Sequence, residues 1–122
     1  MSTTEIATTL VELCRKGEFE KAIRALYSPD IVSVEAFAMN NMPRQTSGLE
    51  GVLKKTEWWT SNHTVHSASV TGPFVSVEKF AVVFDMDITN KPTNKRMKMT
   101  EVGVYTVANG KIVHEEFLYQ AP

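Results

Sequence analysis

The stretch that most constrains the fold is residues 96–119, where two runs of β-branched and aromatic residues flank the dipeptide Asn109-Gly110. An Asn-Gly pair between two such runs predicts a long antiparallel hairpin. Successive side chains of a strand point to opposite faces, so Glu101, Gly103 and Tyr105 share one face of the first strand. The hairpin therefore decides which side chains face the interior.

The partner strand contributes different side chains in two alternative registers. With Asn109-Gly110 as a two-residue loop, Ala108 pairs with Lys111, and His114, Glu116 and Leu118 join Tyr105. With a three-residue loop that begins at Ala108 and has a bulge at Gly110, the odd-numbered residues 113–119 join it instead. We prefer the second register because it collects an apolar, aromatic face, which predicts a lined cavity holding two carboxylates. The members of that face are Met97, Met99, Glu101, Tyr105, Val113, Glu115, Phe117 and Tyr119.

The composition indicates one globular domain, residues 1–122, large enough to bury a core. A formal net charge of −1 gives no electrostatic reason to expect a nucleic acid or an anionic membrane as partner. No apolar run approaches the roughly 18 residues of a membrane span. The single cysteine, Cys14, excludes an internal disulfide framework, and the N-terminus lacks the pattern of a signal peptide. We therefore expect a cytoplasmic protein.

Three amphipathic helices are predicted in the N-terminal half. The capping-box spacing of Ser2 and Glu5 opens a helix over Thr3 to Lys16, with Cys14 as a small core residue on its apolar stripe. A second helix begins near Phe19 and is stopped by Pro29. A second capping box, Ser47-Gly48-Leu49-Glu50, opens a third helix that runs to about Asn62. Its inner side carries Trp59, whereas Trp58 falls on a different face and packs, like Tyr27, at an element junction.

The remaining patterns are those of strands and turns. Residues 31–35 form a short strand that ends on the carboxylate of Glu35, and residues 40–47 form a loop that overhangs an opening. A strand that ends at Val70 is followed by a turn at residues 71–73. Residues 80–88 alternate clearly, which places Asp85 and Asp87 on the outer face. Three helices packed on a curved, mainly antiparallel sheet make an α+β fold.

This element order resembles the nuclear transport factor 2-like superfamily, and within it the SnoaL-like branch of polyketide cyclases and ketosteroid isomerases. The resemblance is carried by residues 17–20, 25–32 and 109–113, and it spans essentially the whole chain. Residues 55–59, followed by His63 and His66, are similar to a subgroup of small bacterial SnoaL-like proteins. The resemblance implies a cone-shaped α+β barrel around a cavity, but a fold does not fix a reaction.

The ketosteroid isomerases supply one candidate base by resemblance. Their aspartate general base, at the end of the first strand, matches Glu35, and burial beside an apolar cavity raises the pKa of such a carboxyl. Their two enolate-stabilising donors match Leu10 and Gly103, neither of which has a side-chain donor. We therefore do not expect steroid isomerisation by that mechanism.

The histidines offer a second set of candidates. His63 and His66 are candidate acid-base partners of Glu35, since histidine titrates near neutral pH. With only the distant His114 beside them, they fall short of the three or four ligands of a metal site, so we expect no metal. A helix C-terminal cap is the simpler interpretation of His63.

These patterns lead to two functional hypotheses. The first is an enzyme that performs cofactor-free acid-base chemistry on a small hydrophobic carbonyl compound, with Glu35 as base and His63 or His66 as partner. The second is a non-catalytic module that binds a hydrophobic ligand or mediates dimerisation. In either case Trp59 and the inward face of the hairpin contact the ligand. The apolar residues on the opposite face predict a homodimer. They are Ala81, Val83, Val102, Val104 and Thr106.

Overall fold

The computed structural model describes residues 1–38 and 42–120, which form three helices and six strands. Two helices precede the first strand, a third follows the second strand, and the last four strands are consecutive. In chain order the elements are α1 (Thr3–Arg15), α2 (Phe19–Leu26), β1 (Tyr27–Val34), β2 (Gln45–Ser47), α3 (Leu49–Asn62), β3 (His63–Val75), β4 (Lys79–Asn90), β5 (Lys95–Ala108) and β6 (Lys111–Leu118).

The strands form one open, curled, mixed sheet in the order β2-β1-β6-β5-β4-β3. All neighbours pair antiparallel except β1 and β6, which are parallel. The helices pack on the sheet, with α1 against β3 and β4 and α3 against β1. The predicted α+β class, with three helices on a curved and mainly antiparallel sheet, is confirmed. No helix in the described ranges combines the length and the apolarity needed to cross a membrane.

The first helix forms as its sequence predicts. The side chain of Ser2 accepts a hydrogen bond from the backbone N–H of Glu5, and Glu5 accepts one from the N–H of Ser2, which completes the capping box. Helix α1 ends at Arg15, and Gly17 then takes the left-handed conformation with φ 71°. The buried stripe of α1 is Ile6, Ala7, Leu10, Val11 and Cys14.

The hairpin combines features of both alternative registers. Asn109 and Gly110 both have positive φ, and Ala108 pairs with Lys111, so the turn is the two-residue loop. A bulge opposite Thr106 and Val107 then shifts the pairing of β5 and β6 by one residue. Tyr105 therefore lies opposite Glu115, and Gly103 opposite Phe117. Glu115 and Phe117 thus join the face of Tyr105, as in the preferred register, but a bulge within β6 produces this rather than a three-residue loop.

Several predicted boundaries are wrong. The N-cap of α3 is Gly48, with φ 90° and no side-chain cap, because Ser47 is the last residue of β2. Strand β1 begins at Tyr27 and runs through Pro29, so the chain passes from α2 directly into a strand. Strand β3 continues to Val75 and absorbs residues 71–73 as an irregularity in its pairing with β4, where a turn was predicted. The predicted loop at 40–47 contains β2, and its residues 40 and 41 lie outside the described residues.

Tyr105 is the largest fully buried side chain of the core. Its ring stacks on Phe80 with centroids 4.8 Å apart, and Phe117 approaches edge-on at 6.2 Å. The ring also lies over Gly103, where an added Cβ would sit 2.8 Å from Tyr105 Cε2. The absence of a side chain at Gly103 therefore leaves the space that the Tyr105 ring occupies.

Candidate functional site

A cavity of about 180 Å³ lies between the helices and the curled sheet. Most of its lining is apolar, contributed by α1, α2, α3, the segment after β1 and the central strands. The lining residues of the described ranges are Leu10, Cys14, Phe19, Ala22, Ile23, Tyr27, Glu35, Phe37, Met42, Pro43, Lys55, Thr56, Trp58, Trp59, Thr60, Phe84, Met86, Glu101, Tyr105, Glu115 and Phe117. Three carboxyl groups and one ammonium group are thus set among apolar side chains.

Glu35, directly after β1, is held by two donors. The ammonium of Lys55 on α3 donates to its Oε2 at 2.8 Å, and the hydroxyl of Tyr119 donates to its Oε1 at 2.9 Å. The side chains of Glu35 and Lys55 are only 18% and 14% exposed. An ion pair with so little solvent around it is screened weakly, so the attraction between the two charges is stronger than in an exposed pair.

The same ammonium is linked to a second, deeper carboxyl. Lys55 Nζ donates to Ser33 Oγ at 2.6 Å, and the Ser33 hydroxyl donates to Glu115 Oε2 at 2.6 Å. The other oxygen of Glu115 accepts the hydroxyl of Tyr27. A continuous chain of hydrogen bonds therefore runs from Tyr119 through Glu35 and Lys55 to the core.

The sheet register explains how these groups meet. Ser33 and Glu35 are two residues apart, so both side chains project toward α3. Ser33 is the register partner of Glu115 across the parallel pair of β1 and β6. The one parallel pairing among the described strands therefore builds the core of the polar network.

Glu101 is the exception among the three cavity carboxyls. Burial, together with the negative charges of Glu35 and Glu115, raises its pKa to about 7 from an ordinary 4.5. Within the described residues it makes no side-chain hydrogen bond. No fully buried side-chain oxygen or nitrogen of those residues lacks a partner, so the oxygens of Glu101 reach the cavity space. Glu101 is therefore a free carboxyl that can gain or lose a proton near neutral pH.

Burial also raises the pKa of two further groups of the cavity, Glu115 and Cys14. Desolvation raises the pKa of Glu115, although its hydrogen bonds from Ser33 and Tyr27 oppose the shift. Burial raises the pKa of the Cys14 thiol to about 12, with the charge of Glu115 adding to the effect. The thiol therefore stays protonated at neutral pH. This is the behaviour of a buried core cysteine, because a nucleophilic cysteine must form the thiolate.

Most of the residues predicted for the site reach the cavity. Tyr119 contacts Glu35, whereas Met99 does not line the cavity. The Met99 side chain belongs instead to a shallow, open depression with residues 67–69 of β3 and 85–87 of β4. The predicted residues that do line the cavity are Glu35, Trp59, Glu101, Tyr105, Glu115 and Phe117.

The two candidate histidines lie outside the lining. His63 is the C-cap of α3, as the simpler interpretation predicted: its Nδ1 donates to the carbonyl oxygen of Trp59 at 2.8 Å, and its ring stacks on the Trp59 ring. His66 is exposed, and its Nε2 lies 2.7 Å from Thr89 Oγ1. Neither histidine contacts Glu35, so the expected carboxylate–histidine pair is absent from the described residues. Among these residues no three histidine, cysteine or acidic side chains are grouped to hold a metal ion.

Sequence reasoning missed four residues of the site. Tyr27 is a buried donor to Glu115 and Trp58 lines the cavity, although both were assigned to element junctions. Lys55 and Ser33 were not singled out. Lys55 shares the inner stripe of α3 with Val52 and Trp59, three and four residues away, so a charged residue on an apolar stripe was the available signal.

Comparison with known proteins identifies the fold. A candidate SnoaL-like polyketide cyclase (carbohydrate phosphatase) from Mesorhizobium loti is 42% identical with a TM-score of 0.90, covering 98% of this chain and 100% of that one. A nuclear transport factor 2-like protein from Burkholderia thailandensis is 16% identical with a TM-score of 0.84, covering 98% and 92%. A candidate isomerase from Bacillus subtilis is 14% identical with a TM-score of 0.72, covering 96% and 85%. The last two comparisons show the fold alone. No curated protein matches the chain significantly.

The three helices on a curled mixed sheet make an α+β fold, which is the fold of the nuclear transport factor 2-like protein from Burkholderia thailandensis. The model of the SnoaL-like domain matches residues 1–119. The chain belongs to the SnoaL-like domain family.

The buried carboxyl of Glu101 predicts a pH dependence of stability. Because folding raises its pKa from 4.5 to about 7, the folded state binds the proton more tightly. The contribution of Glu101 to the free energy of unfolding is therefore complete below the pKa of the unfolded state. It is lost as the pH rises through the pKa of the folded state. Glu101→Gln, which is neutral throughout, should reduce the fall in unfolding free energy between pH 5 and pH 8 by about 2–3 kcal/mol.

The measurement is urea unfolding at a series of pH values. Glu57→Gln, which removes an exposed carboxyl of α3, is the matched control. Equal pH dependence in wild type and Glu101→Gln would contradict the assignment.

Proposed function

We propose that this protein is an enzyme that performs cofactor-free acid-base chemistry on a small, mainly apolar carbonyl compound. One observation carries the proposal: a single apolar cavity holds two carboxyls whose surroundings differ. Glu35 is ion-paired with Lys55, whereas Glu101 has no side-chain partner within residues 1–38 and 42–120 and has a pKa of about 7. Two carboxyls held in different surroundings within one site are the usual arrangement for paired acid and base roles.

The surroundings of the two groups assign their roles. Glu35, which accepts hydrogen bonds from Lys55 and Tyr119, is the base that takes a proton from the carbon beside the carbonyl. Glu101, when protonated, donates a hydrogen bond to the carbonyl oxygen as negative charge develops there. The proton leaves a C–H bond for Glu35, and the electron pair moves through the enolate to the oxygen. Isomerisation and cyclisation beside a carbonyl start from this enolate, and the dehydration of a β-hydroxy carbonyl compound does so too.

Glu101 also supplies a donor that the comparison with the ketosteroid isomerases found missing. Gly103, which matches the position of their protonated aspartic acid, has no donor. Glu101 lies two residues earlier, on the same face of β5, and offers an equivalent acid to the cavity. The names of the similar proteins, cyclase and isomerase, are consistent with chemistry of this type.

The proposal predicts that the protein exchanges carbon-bound hydrogen of simple ketones with solvent. This can be tested without knowing the natural substrate. In D₂O the protein should accelerate deuterium incorporation beside the carbonyl of 2-tetralone or 1-indanone, as followed by proton NMR. Glu35→Gln should lower the rate by at least about 100-fold, because a general base contributes that much or more. Binding of the same ketone should change little.

Glu57→Gln is the control for exchange, since it removes an exposed carboxyl of α3 that does not line the cavity. Exchange at the buffer rate with every ketone that binds would favour the alternative function, a ligand-binding module without chemistry. Equal exchange in Glu35→Gln and wild type would remove Glu35 from the role of base.

We further propose that the protein is a homodimer. On the side of the sheet opposite the cavity, apolar side chains of the neighbouring strands β4, β5 and β6 lie next to one another. We call this set the outer apolar row. Leu118 in this row is 49% exposed, and burying such a surface against a second copy is favourable. The members of the row are Ala81, Val83, Val102, Val104 and Leu118.

Sedimentation equilibrium at micromolar concentration tests the dimer. The expected mass is twice the 13.7 kDa of the chain. Val104→Glu, in the middle of the row, should produce monomers because it places a charge in the buried interface. Val77→Glu, at a position that is 87% exposed between β3 and β4, should remain dimeric. A monomeric wild type would contradict the proposal.

A further inference from the structure

We infer that Lys55 is a further catalytic residue, whose ammonium group binds the carbonyl oxygen of the substrate and stabilises the enolate. This inference rests on the function proposed above and adds a positively charged donor to the neutral hydrogen bond that Glu101 gives the same oxygen. Lys55 lines the cavity from α3 and is the one cationic side chain among the lining residues of the described ranges. An oxygen that becomes negative in the cavity therefore has one full positive charge available to it.

The hydrogen bonds of Lys55 leave a donor for a ligand. An ammonium group has three N–H donors. In the described part of the chain two of them have protein acceptors, Glu35 Oε2 and Ser33 Oγ. These acceptors both come from the end of β1, so they fix the Nζ atom against one wall of the cavity. The third N–H belongs to a side chain that faces the cavity space.

The movement of charge during the reaction makes this donor important. Before proton transfer, the ammonium of Lys55 is balanced by the carboxylate of Glu35. When Glu35 takes the proton it becomes neutral, and an isolated cation in a largely buried site is unfavourable. The same step places a negative charge on the substrate oxygen. If that oxygen contacts Lys55, the cation keeps a partner throughout, and the negative charge only moves from Glu35 to the substrate.

The surroundings of Lys55 strengthen this interaction. The side chain is 14% exposed, and its Nζ lies 5.8 Å from the centre of the Phe117 ring. Electrostatic attraction in such an apolar, water-poor place is stronger than at the protein surface. Ser33 is fully buried, which prevents the amine from swinging toward solvent without breaking a short hydrogen bond.

The inference is tested with a stable mimic of the enolate in the Glu35→Gln variant. Glu35→Gln reproduces the neutral state that Glu35 reaches after proton transfer, and it frees Lys55 from its counter-ion. The probe is 4-nitrophenol, because its absorbance distinguishes bound phenol from bound phenolate. We expect Glu35→Gln to bind the phenolate at least about ten-fold more tightly than wild type does.

A second substitution assigns that affinity to Lys55. Glu35→Gln/Lys55→Met should lose at least about ten-fold in phenolate affinity while its affinity for 4-nitroanisole, a neutral analogue, stays within about two-fold. Glu35→Gln/Lys55→Arg should retain part of the phenolate affinity because it keeps the charge. The matched control is Glu35→Gln/Lys54→Met, which removes an exposed lysine one position away. The Glu35→Gln/Lys55→Met variant buries no unpaired charge at these two positions, so it keeps its fold, and a thermal melt checks this.

The outcomes separate this inference from the proposed function. Selective loss of phenolate binding in Glu35→Gln/Lys55→Met supports it, whatever the ketone exchange experiment gives. Equal phenolate binding in Glu35→Gln and in Glu35→Gln/Lys55→Met overturns it, even if Glu35 proves to be the base. A failure of ketone exchange with intact, Lys55-dependent phenolate binding overturns the reaction and leaves an oxyanion-binding site.

Discussion

Three carboxyl groups and a single ammonium group share the apolar cavity in the described part of the chain, and most of the site follows from this imbalance. One cation can balance one carboxylate, and the geometry gives Lys55 to Glu35 at 2.8 Å. Glu115 is instead satisfied by the neutral donors Ser33 and Tyr27. Glu101 has neither kind of partner, and burial favours its protonated form. The three acids are therefore chemically different although their side chains are identical.

The fold produces this imbalance through one parallel strand pair. Strand β1 leaves the helical half of the chain and lies beside β6, the last strand, so that Ser33 meets Glu115. Helix α3 then crosses the end of β1 and delivers Lys55 to it. Breaking one member of such a buried network leaves another charge uncompensated, which is far more costly than replacing a matched pair. The architecture and the electrostatics of the cavity thus depend on the same contacts.

The sequence predicted the fold well because its strongest signals are local and periodic. The capping box at Ser2, the apolar stripe of α1 and the alternation of β4 each appear where the patterns indicated. Glu115 and Phe117 share the face of Tyr105, as predicted, but for a reason that the sequence does not reveal. A bulge in β6, set by how two strands twist together, returned the odd-numbered residues to the face of Tyr105.

The site was harder to predict because its partners are distant in sequence. Glu35, Glu101 and Glu115 could be nominated from strand alternation, but not their different surroundings. The pairing of Glu35 with Lys55 spans 20 residues, and that of Tyr27 with Glu115 spans 88. His63 and His66 were nominated from residue type and from a family resemblance, and in the structure His63 ends a helix. A charged residue on an otherwise apolar helix stripe, such as Lys55, is the sequence signal that indicates a buried polar site here.

The most direct test of this account is the titration of Glu101 itself, followed by NMR on protein labelled with ¹³C at the glutamate side-chain carboxyl. The signal is assigned by its absence in Glu101→Gln. A cavity with too few cations for its acids predicts a midpoint at about pH 7. A midpoint near the ordinary glutamate value of 4.5 would show that Glu101 is solvated or paired, and would contradict the account.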